Sequence, residues 1–124
     1  MRDIKFRVWD KRWHKMIYDV QDTFEENYTL GIDYFGQYLK NEDSFEVMQY
    51  TGLKDCNGKE IYEGDILNVS HKYSGSFQPI IIVFEDGCFK GQAYHKMTKP
   101  FILDTPITVL EVIGNIYENE NLIK

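Results

Sequence analysis

Residues 80–94 read IIIVFEDGCFKGQAY. Ile80-Ile81-Ile82-Val83-Phe84 is the most apolar run in the chain. It is short and rich in β-branched side chains, which pack well on a pleated, buried surface. Asp86-Gly87 follows as a hairpin turn, and Cys88 to Tyr94 returns as a second strand. A chain organised around such a hairpin is expected to be β rather than helical.

The same grammar continues on either side. Downstream, Lys99 to Pro106 reads as a connector, because Pro100 and Pro106 discourage regular pairing. Val109 to Tyr117 forms a last strand, with Gly114 marking a bulge or a close backbone approach. Residues 118–124 read as a polar, frayed tail. Upstream, residues 71–78 form a loop around Gly75, and Ile66 to Ser70 is a strand. Gly64, between Glu63 and Asp65, marks a turn. Asn57-Gly58 is a tight turn, since both residues tolerate positive φ. Thr51-Gly52 supplies another turn glycine, and Phe45 to Tyr50 another strand. Short strands separated by turn signals predict a barrel or sandwich. From about Glu60 to Tyr117 the strand lengths suit a small SH3-like barrel.

Near the N-terminus, Ile4, Phe6 and Val8 alternate with Lys5, Arg7 and Trp9, the period of a half-buried strand. Asp10 to Trp13 breaks the pattern, and Met16, Tyr18 and Val20 resume it. Residues 3–20 are therefore expected to form a β-hairpin. Residues 21–44 contribute apolar bulk through Phe24, Tyr28, Leu30, Ile32, Tyr34, Phe35, Tyr38 and Leu39. Gly31 and Gly36 interrupt any long helix, so a short strand with irregular flanks is expected there. The expected fold is mostly β: an N-terminal β-hairpin portion, 1–50, packed with a C-terminal small SH3-like β-barrel, 51–124. One continuous unit over 1–124 is the alternative.

Hydrophobic residues at 43% and charged residues at 27% of 124 suit a globular chain. No apolar run approaches the roughly 20 residues that span a bilayer. The opening MRDIKFRVWD is charged where a signal peptide needs an apolar stretch. On these features the protein is expected in the cytosol, where Cys56 and Cys88 are expected to be free thiols. The net charge of −6 is uneven: residues 1–15 carry +4 and the rest −10. An acidic body repels nucleic acid over long range, whereas the basic end attracts it locally or guides one subunit toward another.

Three constellations carry potential chemistry. Glu60, Glu63 and Asp65 are the densest local carboxylates, a pattern that suits a hard metal or acid–base work. The turn reading is preferred, because Asp and Gly are turn residues. His14, His71 and His95, with Cys56 or Cys88, lack any metal-ligand spacing, and no phosphate-binding glycine loop occurs. No metal or cofactor is therefore expected. The hairpin bearing Arg7, Lys11, Arg12 and Trp13 could meet phosphates and stack on a base. Aromatic enrichment at interfaces favours a structural or oligomeric use for Trp9 and Trp13 instead. Tyr28, Tyr34, Phe35 and Tyr38 exceed what a small barrel can bury, so they are expected at a contact between identical subunits.

Three blocks carry a family resemblance: IKFRVWDKRWHKM at 4–16, MQYTGLKDCNGKEIYEGDI at 48–66 and EVIGNIYEN at 111–119. In order and spacing they resemble the signature of YopX-like proteins from phages and prophages of Gram-positive bacteria. The resemblance implies an N-terminal β portion joined to an SH3-like barrel, acting inside a bacterial host cell. It carries no catalytic residues. The functional expectation is a non-enzymatic, self-associating accessory protein that contacts a phage or host protein and no membrane. Nucleic-acid binding through the basic hairpin is the alternative.

Overall fold

In the computed structural model, residues 3–23, 34–71, 77–93, 101–102 and 108–123 are described. The chain divides into two compact units, Met1–Tyr50 and Thr51–Lys124. The described residues hold nine strands and one short α-helix, so the protein is mostly β. All described strand pairs are antiparallel.

In the first unit, β1 (Phe6–Asp10) lies between β2 (Lys15–Tyr18) and β3 (Phe45–Lys54). The register sets Val8 opposite Ile17 and Val47, and Trp9 opposite Met16 and Glu46. Because β1 is central, Arg7, Val8, Trp9 and Asp10 are all buried. The core of this unit is Val8, Val20, Tyr38 and Phe45, with Phe6, Ile17, Phe35 and Val47 packed on it. Each of these side chains contributes roughly 1.5–3 kcal/mol when fully buried.

Within the segment expected as a strand, residues 35–40 instead form α1 (Phe35–Lys40). Gly36 does not prevent it, because it sits in the first turn. Phe35 and Tyr38 are three positions apart and share a helix face. Phe35 packs on Phe6 with ring centroids 4.9 Å apart, and Tyr38 meets Phe45 edge-on at 4.8 Å. So short a helix is marginal alone and is stabilised by this packing.

The second unit holds β4 (Glu60–Tyr62), β5 (Asp65–His71), β6 (Phe77–Glu85), β7 (Cys88–Ala93), β8 (Phe101–Ile102) and β9 (Thr108–Asn115). Five of these form a sheet in the order β8-β7-β6-β5-β9, which curls into a half-barrel. Beyond Tyr50, β3 continues to Lys54 and neighbours β4. Ile61, Leu67, Ile80 and Ile82 form the core, joined by Leu53, Val69, Phe89, Leu110 and Val112. Asp86 and Gly87 both take positive φ, 54° and 80°, as a two-residue hairpin turn between β6 and β7 requires. Along β9 the register passes from Val112 to Gly114 and skips Ile113, a β-bulge opposite Leu67 and Ile66.

Two further expectations change. Gly52 lies within β3, with φ 89°, rather than in a turn between strands. The C-terminal residues are ordered: a 3-10 helix spans Glu120–Ile123, since Asn115 and Asn119 tie down its entry. Most of the loop at 71–78 and of the connector at 99–106 lies outside the described residues.

Candidate interaction surface

Four Asx side chains, at least one in each sequence block of the resemblance, collect backbone N–H groups. In the first block, Asp10 is buried and its Oδ1 accepts the N–H of Arg12 at 2.9 Å. In the middle block, Asp55 Oδ1 accepts the N–H of Asn57 at 2.9 Å and of Lys59 at 2.8 Å. Its Oδ2 accepts the N–H of Val112 at 3.0 Å. Asp65, also buried, accepts the N–H of Tyr62 at 2.8 Å. In the third block, Asn115 Oδ1 accepts the N–H groups of Tyr117 and Glu118 at 3.0 and 2.9 Å. A buried backbone N–H left without an acceptor is costly, so these side chains secure the turns.

Two of the hubs are held ionised. Burial pushes the Asp55 carboxyl up, but hydrogen bonds from the Val112, Lys59 and Asn57 N–H groups outweigh it and hold the pKa below 3.8. Burial acts likewise on Asp10, where the Arg12 side chain and N–H and the Trp13 N–H win. Among the described residues, no group of three or more His, Cys, Asp or Glu is placed to hold a metal. Asp65, from the carboxylate cluster at 60–65, is occupied with its own turn. Cys56 and Cys88 are exposed free thiols. His14 is exposed, while His95 and the side chain of His71 lie outside the described residues.

The exposed chemistry lies instead at the tip of the β1–β2 hairpin. Asp10 pairs with Lys15, and Lys11 to His14 form a four-residue loop closed by His14 at φ 51°. Asp10 shapes this loop through the Arg12 N–H and also holds the Arg12 guanidinium, with contacts of 3.2 Å to both carboxylate oxygens. The guanidinium lies 4.7 Å from the Phe45 ring centroid. Lys11 reaches Glu46 at 2.9 Å and the Glu42 carbonyl at 3.1 Å. With Lys11 and Arg12 drawn down onto β3, Trp13 projects into solvent at 70% exposure.

The four residues expected at a nucleic acid are thus divided. Lys11, Arg12 and Trp13 share the tip. Arg7 is 3% exposed, with its guanidinium 6.0 Å from the Tyr18 ring centroid, because β1 is central. The expected oligomer contacts are divided as well. Tyr38 is a core residue, Phe35 packs on that core, and Tyr28 lies outside the described residues. Tyr34 precedes α1 and is half-buried. Among the described residues of this unit, the exposed aromatic side chains are Trp13 and Tyr18. Beside the tip lies a groove of about 410 Å³, lined by Tyr38, Leu39, Glu42, Phe45, Glu46 and Val47. Leu39 on its wall is 52% exposed. Sequence alternation marked Arg7 as outward and carried no sign that the strand is covered on both faces. The groove is not legible in the sequence, because its wall depends on α1, where Gly31 and Gly36 point to a short strand with irregular flanks.

Fold and surface together define a mostly β protein of two compact units, whose distinguishing motifs fix its turns and whose β1–β2 hairpin tip exposes an aromatic side chain. Residues 5–124 match the family model described as YopX protein, and the chain belongs to that family. It is similar over its whole length to protein EF1440 from Enterococcus faecalis, with 27% identity, all of both chains covered and a TM-score of 0.62. It shares the fold of protein yopX from Bacillus subtilis at 23% identity and a TM-score of 0.66, with 97% of this chain and 98% of that one covered. Comparison with curated proteins finds no match. Among the described residues, no helix is long and apolar enough to cross a membrane.

Proposed function

We propose that this chain is a non-enzymatic, self-associating interaction module encoded by a phage or prophage and acting in the cytoplasm of the bacterial host. In this reading the curled sheet is an SH3-like scaffold, and the β1–β2 hairpin presents the contact. The observation that carries it is Trp13, 70% exposed at the hairpin tip and braced by the Asp10–Arg12 and Lys11–Glu46 pairs. A large, rigid side chain held out on an ordered loop loses little entropy on binding, and Trp is enriched among residues that dominate interface energies. Trp13 then offers the same surface to a further phage or host protein.

The pairing of Lys11 and Arg12 and the burial of Arg7 weigh against the nucleic-acid alternative, because these cations already face carboxylates or the interior. Size exclusion with light scattering at tens of micromolar protein tests self-association. A mass that is a multiple of 14.7 kDa supports it, and a monomer mass overturns it. Retention of labelled single- or double-stranded nucleic acid at low salt, lost as salt rises, would favour the alternative.

A further inference from the structure

We infer that the contact is reciprocal: Trp13 of one copy seats in the Leu39–Glu42–Phe45 groove of a second copy, and the converse contact closes a two-fold dimer. The inference rests on the self-association proposed above and assigns its occupant. Tip and groove belong to the same unit and adjoin each other, since Lys11 and Arg12 contact Glu46 and Phe45 on the groove wall. A two-fold axis near that rim can therefore place each tip over the other groove. Such an isologous interface closes on itself and leaves no free end for further growth.

The chemistry of the two surfaces is complementary. The groove joins apolar wall, from Leu39, Phe45 and Val47, to the carboxylates of Glu42 and Glu46. Among the described residues, Lys11 pairs with the Glu46 carboxylate and no cation pairs with that of Glu42. The tip offers an indole followed by His14 and Lys15, all three exposed. An indole on the apolar wall brings the second copy's Lys15 toward Glu42, and opposite charges at an interface fix register as well as attraction. The groove's 410 Å³ lies within the range of pockets that enclose small ligands, about 300–1,000 Å³. Leu39, 52% exposed in the single chain, would be covered by the same contact.

Sedimentation velocity on four samples tests this: native protein, Trp13→Ala, Leu39→Glu, and an equimolar mixture of the two variants. Both altered side chains are largely exposed, so each variant is expected to keep the native circular dichroism and melting profile. Each variant alone should dissociate at least about tenfold more readily than native protein, the scale of a lost interface anchor. The mixture should recover part of the association, because a Trp13→Ala copy still offers an intact groove and a Leu39→Glu copy an intact indole. Weakening by Trp13→Ala with native behaviour of Leu39→Glu would overturn the groove as occupant while leaving Trp13-dependent self-association standing. Weakening by both with no recovery in the mixture would overturn the reciprocal pairing. A native protein that is monomeric throughout would overturn this inference together with the self-association beneath it.

Discussion

The Asp55 carboxylate accepts the backbone N–H of Val112 at 3.0 Å, joining residues 57 positions apart. The same side chain closes the turn at Asn57-Gly58, and the adjacent Cys56 N–H donates to the Leu110 carbonyl at 2.9 Å. The middle and C-terminal sequence blocks are thereby one hydrogen-bonded structure. Asp55→Ala removes an acceptor from three N–H groups, of which Val112's is half-buried and cannot freely turn to water. The expected cost is about 2–3 kcal/mol, read as a lower denaturant midpoint. An unchanged midpoint would show that the turn closes without this carboxylate.

The same hub sets an acid limit. The folded-state pKa of Asp55 lies below 3.8, so the unfolded chain takes up its proton at higher pH than the folded chain does. The stabilisation is complete above the unfolded value, near 4, and is lost as pH falls through the lower folded value. Asp10 contributes in the same direction. Asp55→Asn should therefore melt below native protein at pH 6, and the difference should shrink as pH drops toward 3. A difference that stays constant over that interval would contradict the assignment.

Gly64 has φ 86°, donates its N–H to the Ile82 carbonyl at 2.9 Å and accepts from the Ile116 N–H at 3.0 Å. Both bonds require the left-handed backbone that a β-branched residue resists. Gly64→Val is expected to cost roughly 1–3 kcal/mol and to lower the melting temperature. Native-like melting of the variant would sink this account of the turn.

At Gly114 the constraint is space rather than φ. A Cβ there would stand 2.5 Å from Asn119 Oδ1 and 2.9 Å from Asn119 Cβ. Asn119 Oδ1 accepts the Asn115 N–H at 3.1 Å, so pushing it aside also opens the C-terminal turn. Gly114→Ala should destabilise by about 1–3 kcal/mol, the usual scale of overpacking. The added cost should shrink in an Asn119→Gly background. Additive effects in that double-mutant cycle would mean that the two residues do not collide.

Much of the fold is legible in the sequence because strand and turn signals are local. The apolar run at 80–84 with Asp86-Gly87, and the alternation through Phe6 and Val8, each mark a strand within a few residues. Faces are less legible. Period two assigned Arg7 to solvent and left Trp9 between core and contact, but β1 is central and both are buried, a fact decided by pairing with residues some 40 positions away. The helix at Phe35–Lys40 was hidden by Gly36 and by its shortness, since tertiary packing on Phe6 and Phe45 outweighs intrinsic propensity. Asp10, Asp55 and Asn115 stood in plain view inside the motif blocks. Their role as acceptors, Asp55's above all, depends on the strand that each reaches. Trp13 stands out in the sequence as a candidate for structural, oligomeric or nucleic-acid use, whereas Leu39 does not, because its groove exists only once α1 has formed.

Acrylamide quenching of tryptophan fluorescence across a dilution series measures directly whether Trp13 is covered when copies meet. Trp9 is 8% exposed and stays shielded at every concentration, so the change reports Trp13, which is 70% exposed in the single chain. Quenching is predicted to be strong at low micromolar protein and to weaken toward high micromolar protein, with a blue shift in emission. Equal quenching of an accessible indole at every concentration would contradict a contact through Trp13.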